Sequence, residues 1–131
     1  MENNFKLEII SPERIIFSDN VFMTTLPSYE GEIGILKDHI SIITFLRPGI
    51  IRIKRNDESS EEFFVQDGTV EYFKDNLVVL SSSVINTKDL SKEFIDNLNQ
   101  DTQNKLAKKD ITDHENYILN HKLNILKEIK I

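Results

Sequence analysis

Two groupings in this chain have the residue types of acid–base or nucleophilic chemistry: Asp38-His39, and the serine run Ser81-Ser82-Ser83. A carboxylate that orients an imidazole, and an imidazole that activates a hydroxyl, would make an acyl-transfer site. Nothing in the spacing enforces that geometry. Neighbouring residues on a strand point to opposite faces, and no glycine-flanked nucleophile elbow surrounds any of the serines. Asp38 reads as a turn aspartate beside a surface histidine. The other two histidines, His114 and His121, are seven residues apart and so share a helix face two turns apart. A metal pair on a helix is usually spaced i, i+4, so these read as solvated or interfacial histidines. Glu30-Gly31-Glu32-Ile33-Gly34 contains Gly-x-x-Gly, but its two carboxylates would repel a phosphate that backbone N–H groups alone would attract. The segment is either a plain β-turn or an acidic contact surface. Arg52, Lys54 and Arg55 form a small basic group, read either as a solvated edge strand guarded by charge or as a contact for an acidic partner. The residues by themselves give no catalytic, cofactor or metal site.

The elements that position these residues belong to a chain of 131 residues with 39% hydrophobic and 29% charged content. That is one folded domain, or one with a modest appendage. No cysteine is present, which excludes a disulfide framework and cysteine-based zinc. The formal charge of −6 argues against nucleic acid. It is unevenly placed: up to Ile85 there are 8 basic and 14 acidic residues (8 − 14 = −6), and from Asn86 onward 8 of each (8 − 8 = 0). Apolar runs are far shorter than the ~20 residues of a membrane span. The first residues lack the basic-then-apolar pattern of a secretory leader and the basic, serine-rich pattern of a transit leader.

Residues 1–85 read in twos. Phe5, Leu7 and Ile9 alternate with Lys6, Glu8 and Ile10; Ile51 and Ile53 alternate with Arg52 and Lys54. Turn signals recur at Ser18-Asp19-Asn20, the glycine-rich corner, Pro48-Gly49, Asn56–Ser60, Asp67-Gly68 and Asp75-Asn76. Leu77-Val78-Val79-Leu80 reads as a fully buried strand. The spacing predicts a sandwich or barrel of about ten antiparallel strands. Residues 86–131 change period. Leu90, Phe94 and Leu98 recur every four residues, with Thr87 or Asp89 as N-cap and an end near Ala107. Thr112 with Glu115 makes a capping box for a second helix. Phe94, Leu98, Ile118 and Ile125 form the expected seam of this helical hairpin, and a single alanine (Ala107) leaves it dependent on packing.

The order of these features resembles the epsilon subunit of the F-type ATP synthase. Leu7–Arg14 with Phe17-Ser18 resembles the family's opening strand pair. Glu30–Leu36, His39 and Leu46-Arg47-Pro48-Gly49 resemble its most recognisable block, and Phe63–Val65, Gly68, Val70-Glu71 and Leu77–Leu80 its closing strands. The likeness is strong over about residues 5–84. Beyond Asn86 it rests on architecture and on Asp89-Leu90. Asp38-His39 stands where family members usually have Gly-His, and Asp89 is not followed by the Arg-Ala that contributes to nucleotide binding in some relatives, so no ATP site is carried over.

The resemblance implies a non-catalytic central-stalk subunit that grips the gamma subunit and rests on the ring of c subunits. It makes Glu30, Gly31, Glu32, Gly34 and His39 the expected c-ring contact. It also implies a hairpin that folds back on the sandwich or extends along the stalk to impede ATP hydrolysis, with Lys105, Lys108, Lys109 and Lys122 meeting acidic segments of the alpha and beta catalytic subunits. At ~1.5 Å per residue, the 46 residues after Ile85 (131 − 85) span roughly 70 Å when helical. The implied location is the cytoplasmic side of a bacterial inner (plasma) membrane, reached only through the complex. The competing readings are a generic β-sandwich adaptor that binds a basic partner, and a β-sandwich enzyme with a helical lid.

Overall fold

A computed structural model describes residues 3–129. Ten strands come first: β1 (Phe5–Ile10), β2 (Ile15–Val21), β3 (Met23–Ser28), β4 (Gly31–Leu36), β5 (Ile42–Leu46), β6 (Gly49–Lys54), β7 (Ser60–Val65), β8 (Gly68–Phe73), β9 (Asn76–Leu80) and β10 (Val84–Asn86). They hydrogen-bond in the order β10-β7-β6-β3-β5-β8-β9-β1-β2, with β4 also on β3. The path is thinnest at β3–β5, where Ser28 opposite Leu46 is the one paired position. That seam divides the sheet into two layers, β10-β7-β6-β3-β4 and β5-β8-β9-β1-β2.

All neighbours are antiparallel except β1 and β9, which run parallel from Lys6 opposite Asn76 to Ile10 opposite Leu80. An all-antiparallel arrangement was the expectation. The exception is permitted because β1 and β9 are separated by most of the domain, so no tight turn has to join them. Alternation sends Leu7, Ile9, Leu26, Ile35, Ile51, Ile53, Val70 and Tyr72 between the layers, each at most 1% exposed. The rings of Phe5 on Tyr72 and Phe17 on Phe63 meet edge to face at 5.9 Å. In β9, Leu77 and Val79 are buried but Leu80 is 50% exposed, so this strand is not buried on both faces as its composition suggested. Glycine is required at two corners. Gly31 has φ +126, and a Cβ on Gly49 would lie 2.5 Å from Pro27 Cβ where β6 starts against β3.

Two helices follow a single 3-10 turn at Thr87–Asp89, which the Asn86 side chain caps. Leu90 then returns to extended backbone, and Ser91 caps α1 (Lys92–Leu106) by accepting from Phe94 N–H. Thr87 and Asp89, the expected caps, are therefore inside the preceding turn. α2 (Asp113–Glu128) begins with the anticipated capping box of Thr112 and Glu115. The hairpin lies folded back on the β6–β7 layer. Leu90 and Leu126 pack on Ile50 and Phe64, with Phe94, Ile95, Leu98, Ile125 and Ile129 around them. Phe94, Leu98 and Ile125 thus lie in the seam as expected, whereas Ile118 lies farther along, at a cleft between the hairpin and the sandwich. Among the described residues, no helix is long and apolar enough to cross a membrane.

Candidate functional sites

The β3–β4 hairpin turns at Tyr29-Glu30, where the Ser28 hydroxyl donates to the Gly31 carbonyl. Glu30 is exposed at the tip. Glu32, two residues on, makes a 3.5 Å ion pair with Arg52 with both side chains about half exposed. Gly34 is mid-strand, opposite Thr25. His39 is elsewhere. It follows the far end of β4, where its N–H donates to Leu36 carbonyl and its ring stands on Tyr72 at 5.7 Å. Five residue steps of strand, roughly 17 Å, separate Gly31 from Leu36. The structure therefore gathers Glu30, Gly31 and Glu32 at one end and places His39 at the other.

His39 and Asp38 belong to a turn lock. Asp75 accepts from the Tyr72 hydroxyl at 2.7 Å and from Asp38 N–H at 2.9 Å. The Asp38 amide, followed by the Tyr72 hydroxyl, holds the Asp75 carboxyl below its ordinary range. Burial, reinforced by Asp75, pushes the Tyr72 phenol up to about 12. The serines are also engaged elsewhere: Ser81 and Ser82 hydroxyls donate to Asp67. Asp38-His39 and Ser81–Ser83 are not assembled into an acyl-transfer site.

The two arginines of the basic group are neutralised in place. Arg52 pairs with Glu62 at 3.1 Å as well as with Glu32. Arg55 pairs with Glu61 at 2.8 Å and Asp19 at 3.4 Å and lies over the Phe17 ring. β6 is flanked by β3 and β7, so the expected edge strand is an interior one. The two guanidinium groups guard no edge; they cross-link neighbouring segments.

Of the tail lysines, Lys105 is exposed beside Asp101, and Lys108 and Lys109 are exposed in the inter-helix link. Lys122 is only 8% exposed. Burial lowers its pKa, Lys105 lowers it further, and Asp101 and Asp67 pull it back up. An ammonium in that position is available to another protein only when the hairpin leaves the sandwich. Nearby, α2 is fastened to the β3–β4 turn. The Tyr117 hydroxyl donates to Tyr29 carbonyl at 3.2 Å and accepts from the Arg47 guanidinium at 3.0 Å. His121 stands edge-on to Tyr117 at 4.4 Å, and His114 lies 5.8 Å from the Tyr29 ring. His114 and His121 are thus interfacial. Sequence reasoning missed Tyr29, Arg47 and Tyr117, which join three segments far apart in the chain.

It also missed an apolar outer face. The registers align Phe45, Thr69, Leu80, Ile10 and Ile15 in one row across β5, β8, β9, β1 and β2. Ile43, Glu71, Val78 and Glu8 form the next row. Exposure is 74% for Ile43, 56% for Phe45, 50% for Leu80 and 58% for Ile15. A groove of about 750 Å³ runs along this face, past Pro12, Phe45 and Leu80 to Tyr29. The signal was present: Ile42-Ile43-Thr44-Phe45-Leu46 and Leu77–Leu80 are apolar at both parities, and only one parity can face the core.

A two-layer β-domain with one large unpartnered apolar face, carrying a folded-back helical hairpin, defines a class of small chains that work through surfaces. Similarity to known proteins gives that class its family. The profile described as ATP synthase, delta/epsilon chain, beta-sandwich domain matches residues 4–87, and the chain belongs to this family. The ATP synthase epsilon chain of Pelagibacter ubique is 42% identical over 130 residues, covering 98% of this chain and 99% of that one. The epsilon chain of Parvibaculum lavamentivorans is 32% identical over 116 residues, covering 88% and 84%. In fold, the chain is similar to one in the Euglena gracilis mitochondrial ATP synthase assembly of OSCP, F1 and c-ring, at TM-score 0.74 and 15% identity, covering 95% of this chain and 78% of that one. A chain of the Tetrahymena thermophila mitochondrial central stalk and c-ring gives TM-score 0.63 at 12% identity, covering 94% and 93%. The resemblance read from the sequence is borne out.

Proposed function

We propose that this chain is the non-catalytic epsilon-type subunit of the central stalk of a proton-translocating F-type ATP synthase, docked on the gamma subunit through its apolar outer face. The exposed row of Phe45, Leu80 and Ile15, with Ile43 beside it, carries this reading. Exposed apolar surface of that extent on a small soluble domain calls for a permanent partner. The alternation that buries Leu77 and Val79 presents Leu80 outward by construction. Full-length similarity to epsilon chains supports gamma as that partner, with the complex linking the chain to the membrane.

The foot that meets the c-ring is Glu30-Gly31-Glu32 at the β3–β4 tip. Acidic groups there fix register on basic loops of the ring more than they add affinity. His39, at the opposite end of β4, belongs to the turn lock. The two domains are the sandwich to Ile85 and the hairpin from Asn86. In the extended state the hairpin impedes ATP hydrolysis, and Lys105, Lys108, Lys109 and the released Lys122 face acidic segments of alpha and beta. The test is co-expression with gamma: the chain should co-purify as a stable 1:1 complex without ATPase activity of its own. A chain that remains free of gamma would favour the adaptor reading.

A further inference from the structure

We propose that the contact between α2 and the β3–β4 turn is a proton-weakened latch: Tyr117 bridges the Tyr29 carbonyl and the Arg47 guanidinium, and protonation of His121, packed against Tyr117 beside Arg47, weakens the hold of the sandwich on the hairpin. This rests on the reading that the hairpin leaves the sandwich, and not on the identity of the stalk partner.

The hairpin is held at two places of different chemistry. Near the hinge it is held by the apolar cluster of Leu90, Leu126, Ile50 and Phe64. Near the start of α2 it is held by polar and aromatic contacts: Tyr117 O–H to Tyr29 carbonyl at 3.2 Å, Arg47 N–H to Tyr117 oxygen at 3.0 Å, and Tyr29 ring to Tyr117 ring at 6.5 Å. The second fastening is the one a change of charge can open. Arg47 is held by the turn that starts β6, and its backbone N–H bonds Pro27 carbonyl at 3.0 Å, so the guanidinium belongs to the sandwich while His121 belongs to the helix. Docking therefore brings a fixed positive charge toward an imidazole that titrates near neutrality.

The ionisable groups around this fastening are few. Arg47 comes from the β5–β6 turn, Tyr29 from the β3–β4 turn, and His114 and Tyr117 from α2 itself. Lys122, on the same helix, answers instead to Lys105 and Asp101 of α1 and to Asp67 of the β7–β8 turn. Among the described residues, Arg47 is the charged group acting on the His121 ring, and it disfavours the imidazolium, as burial does. An imidazolium would gain from the face of Tyr117, but Arg47, whose charge is permanent, bonds the hydroxyl of the same residue.

The sign follows. The docked pKa of His121 lies below the ordinary value of 6.5. Docking is at full strength above about pH 6.5, because both states are then neutral. As pH falls below that value the released state takes up a proton first, and docking weakens until the docked state protonates too. One proton changes the docked-to-released ratio by at most about tenfold per pH unit. Acidification thus frees the hairpin, and the β3–β4 turn that bears Glu30 loses its contact with α2 in the same event.

The experiment uses the full chain with a donor–acceptor dye pair on Asn124 and Asn56, both exposed, titrated from pH 8 to pH 5, with amide exchange of α2 as a second readout. The wild type should show a released fraction that rises on acidification below about pH 6.5. H121N should dock normally at pH 8 and lose most of that rise, while H114N should keep it. Y117F should release more hairpin at every pH and keep the pH dependence. A wild-type profile that is flat, or a rise that survives H121N or is abolished by H114N, overturns the latch. None of these measurements involves gamma, so failure to bind gamma would leave the latch standing and would count only against the stalk assignment.

Discussion

At the scale of residues, the acidic corner divides into a residue the fold needs and residues it can spare. Gly31 has φ +126, a conformation in which a side chain costs roughly 1–3 kcal/mol. Glu32 is well exposed and touches Arg52 only at 3.5 Å, and exposed pairs of this kind contribute about 0–1 kcal/mol. Arg52 also keeps Glu62. E32A should therefore leave the thermal midpoint of the isolated chain nearly unchanged while loosening coupling in the assembled enzyme, whereas G31A should lower the midpoint by several degrees. Differential scanning calorimetry of the two variants checks this. An E32A protein that unfolds early would mean that the corner is only a turn. The same division applies to the tail lysines: Lys108 and Lys109 are exposed as the hairpin stands, but Lys122 is buried.

At the scale of elements, the hairpin and the sandwich are joined by a cluster separate from the main core. Leu126 is 4% exposed and sits among Leu90, Ile50 and Phe64, while the sheets close over their own set of side chains. Leu→Ala in such a site costs about 2–5 kcal/mol, and here that loss falls on docking. L126A should release α2, seen as fast amide exchange from Asp113 to Glu128, with exchange in β1, β8 and β9 unchanged. Loss of protection in both would make the two parts one cooperative unit. Strand and helix existence were largely legible in the sequence, because alternation in Phe5–Ile9 and Ile51–Lys54 and the Thr112–Glu115 box are local signals. What was not legible depends on pairing. β6 looked like an edge because Arg52 and Lys54 face outward, but β3 and β7 flank it. β9 looked buried on both faces, but its partners β8 and β1 leave Leu80 uncovered. Tyr117 could not be joined to Tyr29 and Arg47, 88 and 70 residues away, by any local pattern.

At the scale of the whole molecule, the chain presents two surfaces at different places: an apolar sheet face and an acidic tip, the latter fastened to a hairpin that buries Lys122. Removing residues after Asn86 keeps β10 on β7 and exposes Ile50 and Phe64. In the assembled enzyme this truncation should raise ATP hydrolysis and leave proton coupling intact, and unchanged hydrolysis would make the hairpin structural. In the proposed assembly the chain meets gamma through the outer face of β5, β8 and β9. The direct measurement is the affinity of the full chain for gamma with and without the pair of substitutions I43E and F45E, whose side chains are 74% and 56% exposed and lie outside the core. The double variant should keep its fold and thermal midpoint while binding weakens by at least about a hundredfold, the loss of two buried interface anchors at roughly 1.4 kcal/mol per tenfold. Wild-type affinity in a folded double variant would contradict that assembly.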